Sequence, residues 1–435
     1  MRIHNGTATR FWRENRLLLC IMALLLIERL IALATLGAQY TLASDDLSYV
    51  KSGIYFAQHG TVTMHGTTPS AQIMPGMTWL IGIFVLVLGQ GYGLWLALKL
   101  FWIGMGTATA YFLYKSVTLF APKWYGIVAC LPLFGVDFVW TDNLILTESP
   151  FILCLSAMLY YTFLLGRDRS RHAFVGCAVS YIAALLLKAN IAIYPLFALV
   201  YLLAVKYPFQ KLLRRGLILA CLVLCFLVPW TVRNYMQFHA LIPLTYGAGN
   251  PTLLGTYQGY GYPADEDLDY VTNVDEPFRE QYAAYYDDNG NVPEKYQKYL
   301  SLQHDGETAA YRIRVWAEQN PKSLLVSYGI IKPLMIVNGT FYWERVFNVP
   351  GTWVQLMQDL NLLLCAISII SSLLFRKHRA QCLYLMFLYG GNVFIYAMTF
   401  AFGRYSIGLM PMRCVLIGLG AAALAGSIRK YHASY

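Results

Sequence analysis

Charged residues are scarce in this sequence. Only 13% of the 435 residues are Asp, Glu, Lys or Arg, and 57% are hydrophobic, whereas soluble domains are about 25% charged and about 45–50% apolar. This shortage of charge excludes an ordinary soluble domain, and the long apolar runs that replace polar segments indicate membrane helices. We therefore predict an all-α polytopic membrane protein.

Patterned cysteines are also missing. All nine cysteines lie inside apolar runs, and none has the spacing of a zinc site, so we interpret them as small core residues. The 33 Lys and Arg residues outnumber the 23 Asp and Glu residues. They cluster beside apolar runs, as cytoplasmic anchors do, and this distribution argues against a nucleic-acid partner.

The basic clusters orient the apolar runs. An arginine-rich start precedes the first run, residues 17–37, which places the N-terminus in the cytoplasm and residues 38–72 outside. The basic residues predicted to be cytoplasmic are Arg2, Arg10, Arg13, Arg16, Lys115, Lys123, those of 167–172, 206–215 and 376–379, Arg429 and Lys430. All of them stay inside if the runs 73–90 and 324–337 only dip into the outer leaflet. A crossing needs roughly 20 residues, and on this basis about ten spans remain, with twelve as the alternative.

This topology divides the chain into three parts. Residues 1–230 form a transmembrane module with the outer loop 38–72, residues 231–322 form a domain outside the membrane, and residues 323–435 form a second transmembrane region. The outer domain is rich in tyrosine and acids and poor in basic residues over its middle. We predict a small mixed domain there, with helices over 281–286 and 307–319.

Acidic residues stand at the outer ends of two predicted spans. Asp45 and Asp46 follow the first span and precede an amphipathic stretch that predicts a short interfacial helix. An Asp at a helix start is either a cap or an oriented base, and both interpretations stay open. Glu148 opens a later span, and because a carboxylate beside apolar residues is costly to bury, we expect it to face a cavity or a cation.

Arg233 lies at the predicted outer end of another span, which Pro229 and Trp230 are expected to terminate. Two interpretations stay open for its side chain. It is either an interfacial anchor or a ligand for an anion such as phosphate, whose oxygens match a guanidinium fork. A glycine-containing loop, residues 243–250, follows it.

The order of these motifs resembles the GT-C glycosyltransferases, and within them the branch of protein O-mannosyltransferases and lipid A aminoarabinose transferases. The motifs are Asp45-Asp46, Met74-Pro75-Gly76, Leu146-Thr147-Glu148-Ser149, Leu187-Lys188-Ala189-Asn190, Pro229-Trp230-Thr231-Val232-Arg233-Asn234, Gly403-Arg404-Tyr405 and Met410-Pro411. The resemblance implies a transferase that moves a sugar from a polyprenyl-phosphate carrier to a hydroxyl on the outer face of a bacterial cell membrane. One departure is Gln72, where members of the aminoarabinose branch often carry a lysine.

The resemblance also implies roles for single residues. Asp45 corresponds to the catalytic base, with Asp46 and Glu148 as supporting acids. The cationic residues implied for the donor phosphate are Arg233, Lys188 and Arg404, and those implied for the substrate pocket are Tyr49, Asn190, Asn234, Tyr246 and Tyr405.

The chemistry that this resemblance implies is simple. A polyprenyl-phosphate leaving group already carries its charge, so one base and a cationic clamp suffice for a single inverting displacement. No cofactor is required, and a divalent metal held by Asp45, Asp46 and Glu148 is the alternative. The partners are the lipid-linked donor, membrane lipid and a glycan, lipid or protein acceptor.

Two other functions compete with this one. A lipid-linked sugar flippase or transporter would also place ionisable residues near apolar spans, but such proteins show matching halves and mid-membrane charges, and the sequence has no internal repeat. A glycan polymerase or ligase that uses a diphosphate-linked donor is the enzymatic alternative.

Overall fold

The computed structural model describes residues 4–343 and 345–432, without the side chains of residues 4–14 and 428–432. Of the predicted cytoplasmic residues, Arg2 lies outside the described residues, as do the side chains of Arg10, Arg13, Arg429 and Lys430. The described chain is helical, with a single bridge between Thr63 and Pro69 as its only extended pairing. The prediction of an all-α membrane protein is confirmed.

The helices follow the apolar runs. In the first half they are α1 (His4–Leu36), α2 (Asp45–His59), α3 (Gly76–Leu88), α4 (Tyr92–Thr118), α5 (Lys123–Cys130), α6 (Val136–Asp142), α7 (Glu148–Asp168), α8 (Arg171–Leu187), α9 (Tyr194–Ala204) and α10 (Phe209–Phe238). In the second half they are α11 (Gly249–Gly255), α12 (Glu276–Gln281), α13 (Glu294–Gln319), α14 (Pro321–Val326), α15 (Lys332–Val337), α16 (Gly351–Leu374), α17 (Arg379–Ala397) and α18 (Arg404–His432).

Seven of the described helices are long and apolar enough to cross a membrane, namely α1, α4, α7, α10, α16, α17 and α18. The pair Lys123–Phe134 and Val136–Asp142, bent by 72°, makes an eighth if it counts as one broken span. The predicted total of about ten adds α8 and the helix Ala189–Ala204, which are shorter apolar helices. The count of ten to twelve spans therefore stays a prediction.

Neither segment predicted to dip into the membrane is among the candidate spans. α3 has 13 residues, which at 1.5 Å per residue is about 20 Å, short of the ~30 Å hydrocarbon core. The second segment is divided into α14, a π-helical turn over Ser327–Ile331, and α15, which has Pro333 in its first turn.

The helix α10 differs from its prediction. Pro229 and Trp230 do not end it, because the helix continues to Phe238. One face of this extension is buried every fourth residue, at Trp230, Asn234 and Phe238, and packing on that face offsets the hydrogen bond that a proline removes. Along its membrane-length apolar window, in contrast, α10 has no buried residue.

The main core surrounds α4, α7 and α18, and a smaller core joins residues 62–71 with the end of α10 and with residues 242–302. The smaller one is made by Val62, Ala71, Trp230, Phe238, Ile242, Tyr246, Phe278, Tyr299, Leu300 and Leu302. Residues 231–322 hold helices and turns but, as far as they are described, no strand, so the predicted mixed domain is helical instead. Where a helix was expected at 281–286, α12 ends at Gln281 and a short 3-10 turn covers Ala283–Tyr285. The helix expected at 307–319 begins earlier, at Glu294.

Candidate active site

Asp45 and Asp46 begin α2, and their side chains point to different surroundings. Asp46 is 1% exposed, and its carboxylate accepts backbone N–H groups from Leu42 at 2.6 Å, Leu47 at 2.9 Å and Ser44 at 3.3 Å. These bonds close a turn in which Ala43 has a left-handed φ of 52°, a conformation that costs energy for a residue with a side chain. Asp46 thus stabilises the turn, whereas the side chain of Asp45 points away from the turn.

Arg404, the first residue of α18, binds both remaining acids. Its Nε and Nη2 donate to the two carboxylate oxygens of Glu148 at 2.8 and 2.9 Å, and its Nη1 donates to Oδ2 of Asp45 at 2.8 Å. The bond to Glu148 is the bidentate fork that guanidinium and carboxylate form best. Three helix starts, those of α2, α7 and α18, therefore meet at one guanidinium.

Lys188 completes the cluster because the helical conformation is interrupted at this residue. α8 ends at Leu187, Lys188 has an extended backbone (φ −141°, ψ 121°), and a short turn over Ala189–Ile193 leads into α9. The Lys188 ammonium lies 3.0 Å from Oε1 of Glu148. The interruption that shortens α8 is thus what brings a second cation to the site, and the two cations balance the two carboxylates of Asp45 and Glu148.

His65 contacts Asp45 from the loop after α2. Its Nε2 lies 3.4 Å from Oδ1 of Asp45, and its Nδ1 lies 2.9 Å from the hydroxyl of Ser48. Burial of the Asp45 carboxyl raises its pKa, but the hydrogen bond from His65 and the charge of Arg404 outweigh this effect and lower the pKa to about 2. The Asp45 side chain is 33% exposed, whereas that of Glu148 is 1% exposed, so Asp45 is the acid that a substrate can reach.

Three of the five predicted pocket residues lie around this cluster. Tyr49 is buried, and its burial and the nearby charge of Asp45 raise its pKa. Asn190 donates to the hydroxyl of Tyr396 at 2.8 Å, and the ring of Tyr396 stacks on Tyr405 at 4.3 Å with 13° between the planes. A tyrosine pair therefore forms one wall beside the charges.

The structure places Arg233 elsewhere. Its guanidinium donates to the backbone carbonyls of Ser70 at 2.9 Å and Val62 at 3.3 Å and to Oδ1 of Asn234 at 2.9 Å. The other two predicted pocket residues belong to the same region, because Asn234 donates to the carbonyl of Ile242 and Tyr246 pairs with the hydroxyl of Ser70. In the described chain these contacts attach the outer loop to α10, and no contact joins Arg233 to Arg404 or Lys188.

Several polar residues with defined partners in the structure are absent from the sequence-based prediction. They are His65, Tyr396, Lys99 and the ion pair of Arg29 with Asp142. Arg29 is fully buried and reaches Asp142 at 2.6 Å, and Lys99 donates to the carbonyls of Tyr40 and Asn143 from the first third of α4. For Arg29 and Lys99, the sequence signal was a charged residue inside an apolar run, which is rare enough to indicate a role.

The three acids of the site, Asp45, Asp46 and Glu148, do not have the arrangement of a metal centre. The described residues contain no group of three or more His, Cys, Asp and Glu side chains placed to hold a metal ion. Asp46 is occupied by backbone N–H groups, and Asp45 and Glu148 converge on Arg404. The set Asp45, Asp46 and Glu148 proposed as metal ligands is thus not assembled around one point.

The chain is similar to known membrane glycosyltransferases in sequence and in structure. The family model of dolichyl-phosphate-mannose-protein mannosyltransferase matches residues 69–232, a segment that contains Glu148, Lys188 and Asn190. No curated protein sequence matches the chain. Two crystal structures of ArnT from Cupriavidus metallidurans are similar over 95% of this chain and 79% of theirs: the apo state, with 14% identity and a TM-score of 0.42, and the form bound to undecaprenyl phosphate, with 13% identity and a TM-score of 0.44.

The family match covers the motifs at residues 74–76, 146–149 and 187–190 and ends one residue before Arg233. Asp45 and Arg404 lie outside it, on either side, and the hydrogen bonds of Arg404 connect Asp45 with Glu148 of the matched part. The resemblance of this chain to the GT-C membrane glycosyltransferases, predicted from the order of its motifs, is confirmed by its similarity to the dolichyl-phosphate-mannose-protein mannosyltransferases over residues 69–232.

Proposed function

We propose that the chain is an integral membrane enzyme that transfers a sugar from a polyprenyl-phosphate-linked donor to an acceptor hydroxyl on the outer face of a bacterial inner membrane. The observation that carries this proposal is the contact of Arg404 with both Asp45 and Glu148, with Lys188 beside them. It places a reachable carboxylate next to two cations, which is what displacement of a phosphate requires.

Each of the four residues has a distinct part in this mechanism. Glu148 holds the Arg404 fork and Lys188 in place, and the two cations bind oxygens of the donor phosphate. Asp45 takes the proton of the acceptor hydroxyl. The oxygen of that hydroxyl bonds to the anomeric carbon from the face opposite the phosphate. The bond between that carbon and the phosphate oxygen breaks, the phosphate keeps the electron pair, and the configuration inverts.

The contact between Arg404 and Asp45 couples the two events. Nη1 of Arg404 donates to Asp45, and a phosphate oxygen competes with Asp45 for this donor. A carboxylate that loses a cationic neighbour becomes more basic. Binding of the donor therefore activates Asp45, which would otherwise be a weak base with a pKa of about 2.

The test uses the purified full chain in lipid nanodiscs with labelled undecaprenyl monophosphate sugars and the matching diphosphate sugars. We expect release of undecaprenyl phosphate from a monophosphate donor and a loss of release in Arg404→Lys, which keeps the charge but not the fork. Arg345→Lys, at an exposed arginine, is the matched control. Cleavage of diphosphate donors alone would favour a polymerase or ligase, and movement of intact donor across the bilayer without cleavage would favour a flippase.

A further inference from the structure

A groove of about 640 Å³ lies beside Asp45. One wall is the exposed side of α2, with Ser48, Lys51, Tyr55 and Gln58, and the other is formed by His65 of the following loop and by Gln90 after α3. This volume is within the range of about 300–1,000 Å³ that small-molecule sites occupy. Neither the family match nor the mechanism above assigns this groove.

The groove reaches the base through two of its own residues. His65 contacts Asp45 at 3.4 Å, and Ser48, which lies one helical turn after Asp45, contacts His65 at 2.9 Å. Asp45 is also the more exposed of the two acids that bind Arg404. The exposed side of the base is therefore adjacent to this groove, while its other side faces Arg404.

The side chains that line the groove suit carbohydrate. Ser48, Gln58 and Gln90 offer groups that both donate and accept hydrogen bonds, as sugar hydroxyls also do. Tyr55, whose ring stacks on His59 at 4.2 Å, adds an aromatic side chain with a polar tip. The charged lining residue is Lys51, and no residue described in the lining carries a carboxylate. This charge favours a neutral or acidic glycan over a cationic ligand.

A polypeptide would find fewer partners here. Extended peptides commonly bind by adding a strand to an exposed sheet edge, and the chain as described offers none. Binding of an amphipathic helix needs a hydrophobic groove, and Ile54 is the aliphatic residue of this lining. The composition of the groove thus favours a carbohydrate acceptor over a polypeptide acceptor.

We propose that this groove binds the acceptor and that the acceptor is a carbohydrate, whose hydroxyl meets Asp45 at the end marked by His65 and Ser48. The inference rests on the proposed transferase function and names its acceptor class. Donor and acceptor then approach Asp45 from opposite sides, the phosphate along Arg404 and Lys188 and the glycan along α2.

The experiment blocks the groove at Lys51, an exposed residue of its wall. Full-length Lys51→Cys in permeabilised membrane vesicles is treated with a bulky methanethiosulfonate reagent and supplied with the labelled monophosphate donor. Two quantities are measured: binding of undecaprenyl phosphate, and transfer of label to material that resists proteinase. We expect at least a tenfold loss of transfer, with undecaprenyl phosphate binding within twofold of the untreated chain.

Two controls match this design. The parent chain receives the same reagent, because Cys20, Cys221 and Cys225 are exposed. Lys298→Cys removes a lysine and adds a modified cysteine on α13, at an exposed position outside the groove lining, and should transfer normally.

Three results would overturn the proposal. Normal transfer by modified Lys51→Cys excludes the groove as the acceptor site, and loss of undecaprenyl phosphate binding together with transfer assigns the groove to the donor. Label that proteinase releases shows a polypeptide acceptor. If the untreated parent chain cleaves no monophosphate donor, the proposed transferase function itself fails, which is a different result from all three.

Discussion

Arg404 is fixed to Glu148 by two parallel hydrogen bonds of 2.8 and 2.9 Å. Because Glu148 uses Nε and Nη2, Nη1 of Arg404 remains for another acceptor, and Asp45 takes it at 2.8 Å. The bidentate bond fixes the plane of the guanidinium, so the direction of this last donor is fixed as well. In the proposed mechanism, this geometry determines where an incoming phosphate oxygen competes with Asp45.

The first prediction distinguishes the adjacent acids. Asp45→Asn should lower turnover by ~10²- to 10⁴-fold with normal expression, because it removes a general base. Asp46→Asn should mainly lower the melting temperature, because its carboxylate accepts three backbone N–H groups in a buried turn. Turnover and thermal unfolding of both variants provide the measurement. Near-normal turnover of Asp45→Asn with an inactive Asp46→Asn reverses the assignment, and two active variants exclude a base in this loop.

The second prediction concerns pH. The lowered pKa means that the stabilisation by ionised Asp45 is complete above the ordinary value of 3.8 and is lost as the pH falls through about 2. Replacement of His65 by Ala removes one of the interactions that lower this pKa, whereas burial still raises it, so the acid limb of the rate profile should move to higher pH. Ser48→Ala keeps the His65 ring and serves as the control, with a smaller shift. An unchanged acid limb in His65→Ala would show that His65 does not act on Asp45.

The third prediction tests the two interpretations of Arg233. Its contacts with the carbonyls of Ser70 and Val62 predict that Arg233→Lys and Arg233→Ala destabilise the outer loop, by about 1–3 kcal/mol for a lost charged hydrogen bond, with unchanged affinity for undecaprenyl phosphate. Limited proteolysis within residues 60–72 and lipid binding measure the two effects. Weaker lipid binding with a protected loop would instead support the phosphate clamp predicted from the sequence.

The fourth prediction concerns the buried pair of Arg29 and Asp142. Both side chains are almost completely buried, and Arg29 has a second, longer contact of 3.4 Å with Glu28. Asp142→Leu therefore removes the shorter of the two ion pairs of Arg29 and should cost up to about 3–5 kcal/mol. The double variant Arg29→Leu with Asp142→Leu should recover part of this loss. Thermal unfolding in nanodiscs completes the double-mutant cycle, and strictly additive effects would mean that the pair does not interact.

The fifth prediction is the orientation of the chain. Residue 169 should be cytoplasmic and residue 288 outside, as the positive clusters indicate, and both positions are exposed. Cysteines introduced at these positions can be labelled with an impermeant reagent applied from the outer side. Labelling at 169 but not at 288 would invert the predicted topology.

Much of the architecture could be predicted because it depends on local patterns. Apolar runs of membrane length predicted the long helices. Asp45 and Asp46 were predicted at one helix start, and their different surroundings agree with the angle of about 100° between neighbouring residues on a helix. The motifs around Glu148, Lys188 and Arg404 marked residues that the fold brings together.

The remaining features depend on contacts that no local pattern contains. Arg29 and Asp142 are 113 positions apart, and neither neighbourhood indicates the other as its partner. Arg233 and Arg404 are the same residue type at predicted helix ends. Arg233 contacts backbone carbonyls of the loop 60–72, whereas Arg404 contacts two carboxylates, and this difference depends on how distant segments pack. Pro229 indicated a helix end, but tertiary packing of Trp230 and Asn234 continues the helix.

The contact between Asp45 and Arg404 also has a consequence for biosynthesis. The two residues are 359 positions apart, so the ribosome must make α2 long before α18. Until α18 enters the bilayer, Asp45 and Glu148 lack the guanidinium that joins them, and of the two cations proposed for the donor phosphate a nascent chain has Lys188 alone. On the proposed mechanism, a stalled or truncated product that stops before residue 404 is expected to be inactive, and activity is expected to begin only when α18 has inserted into the bilayer.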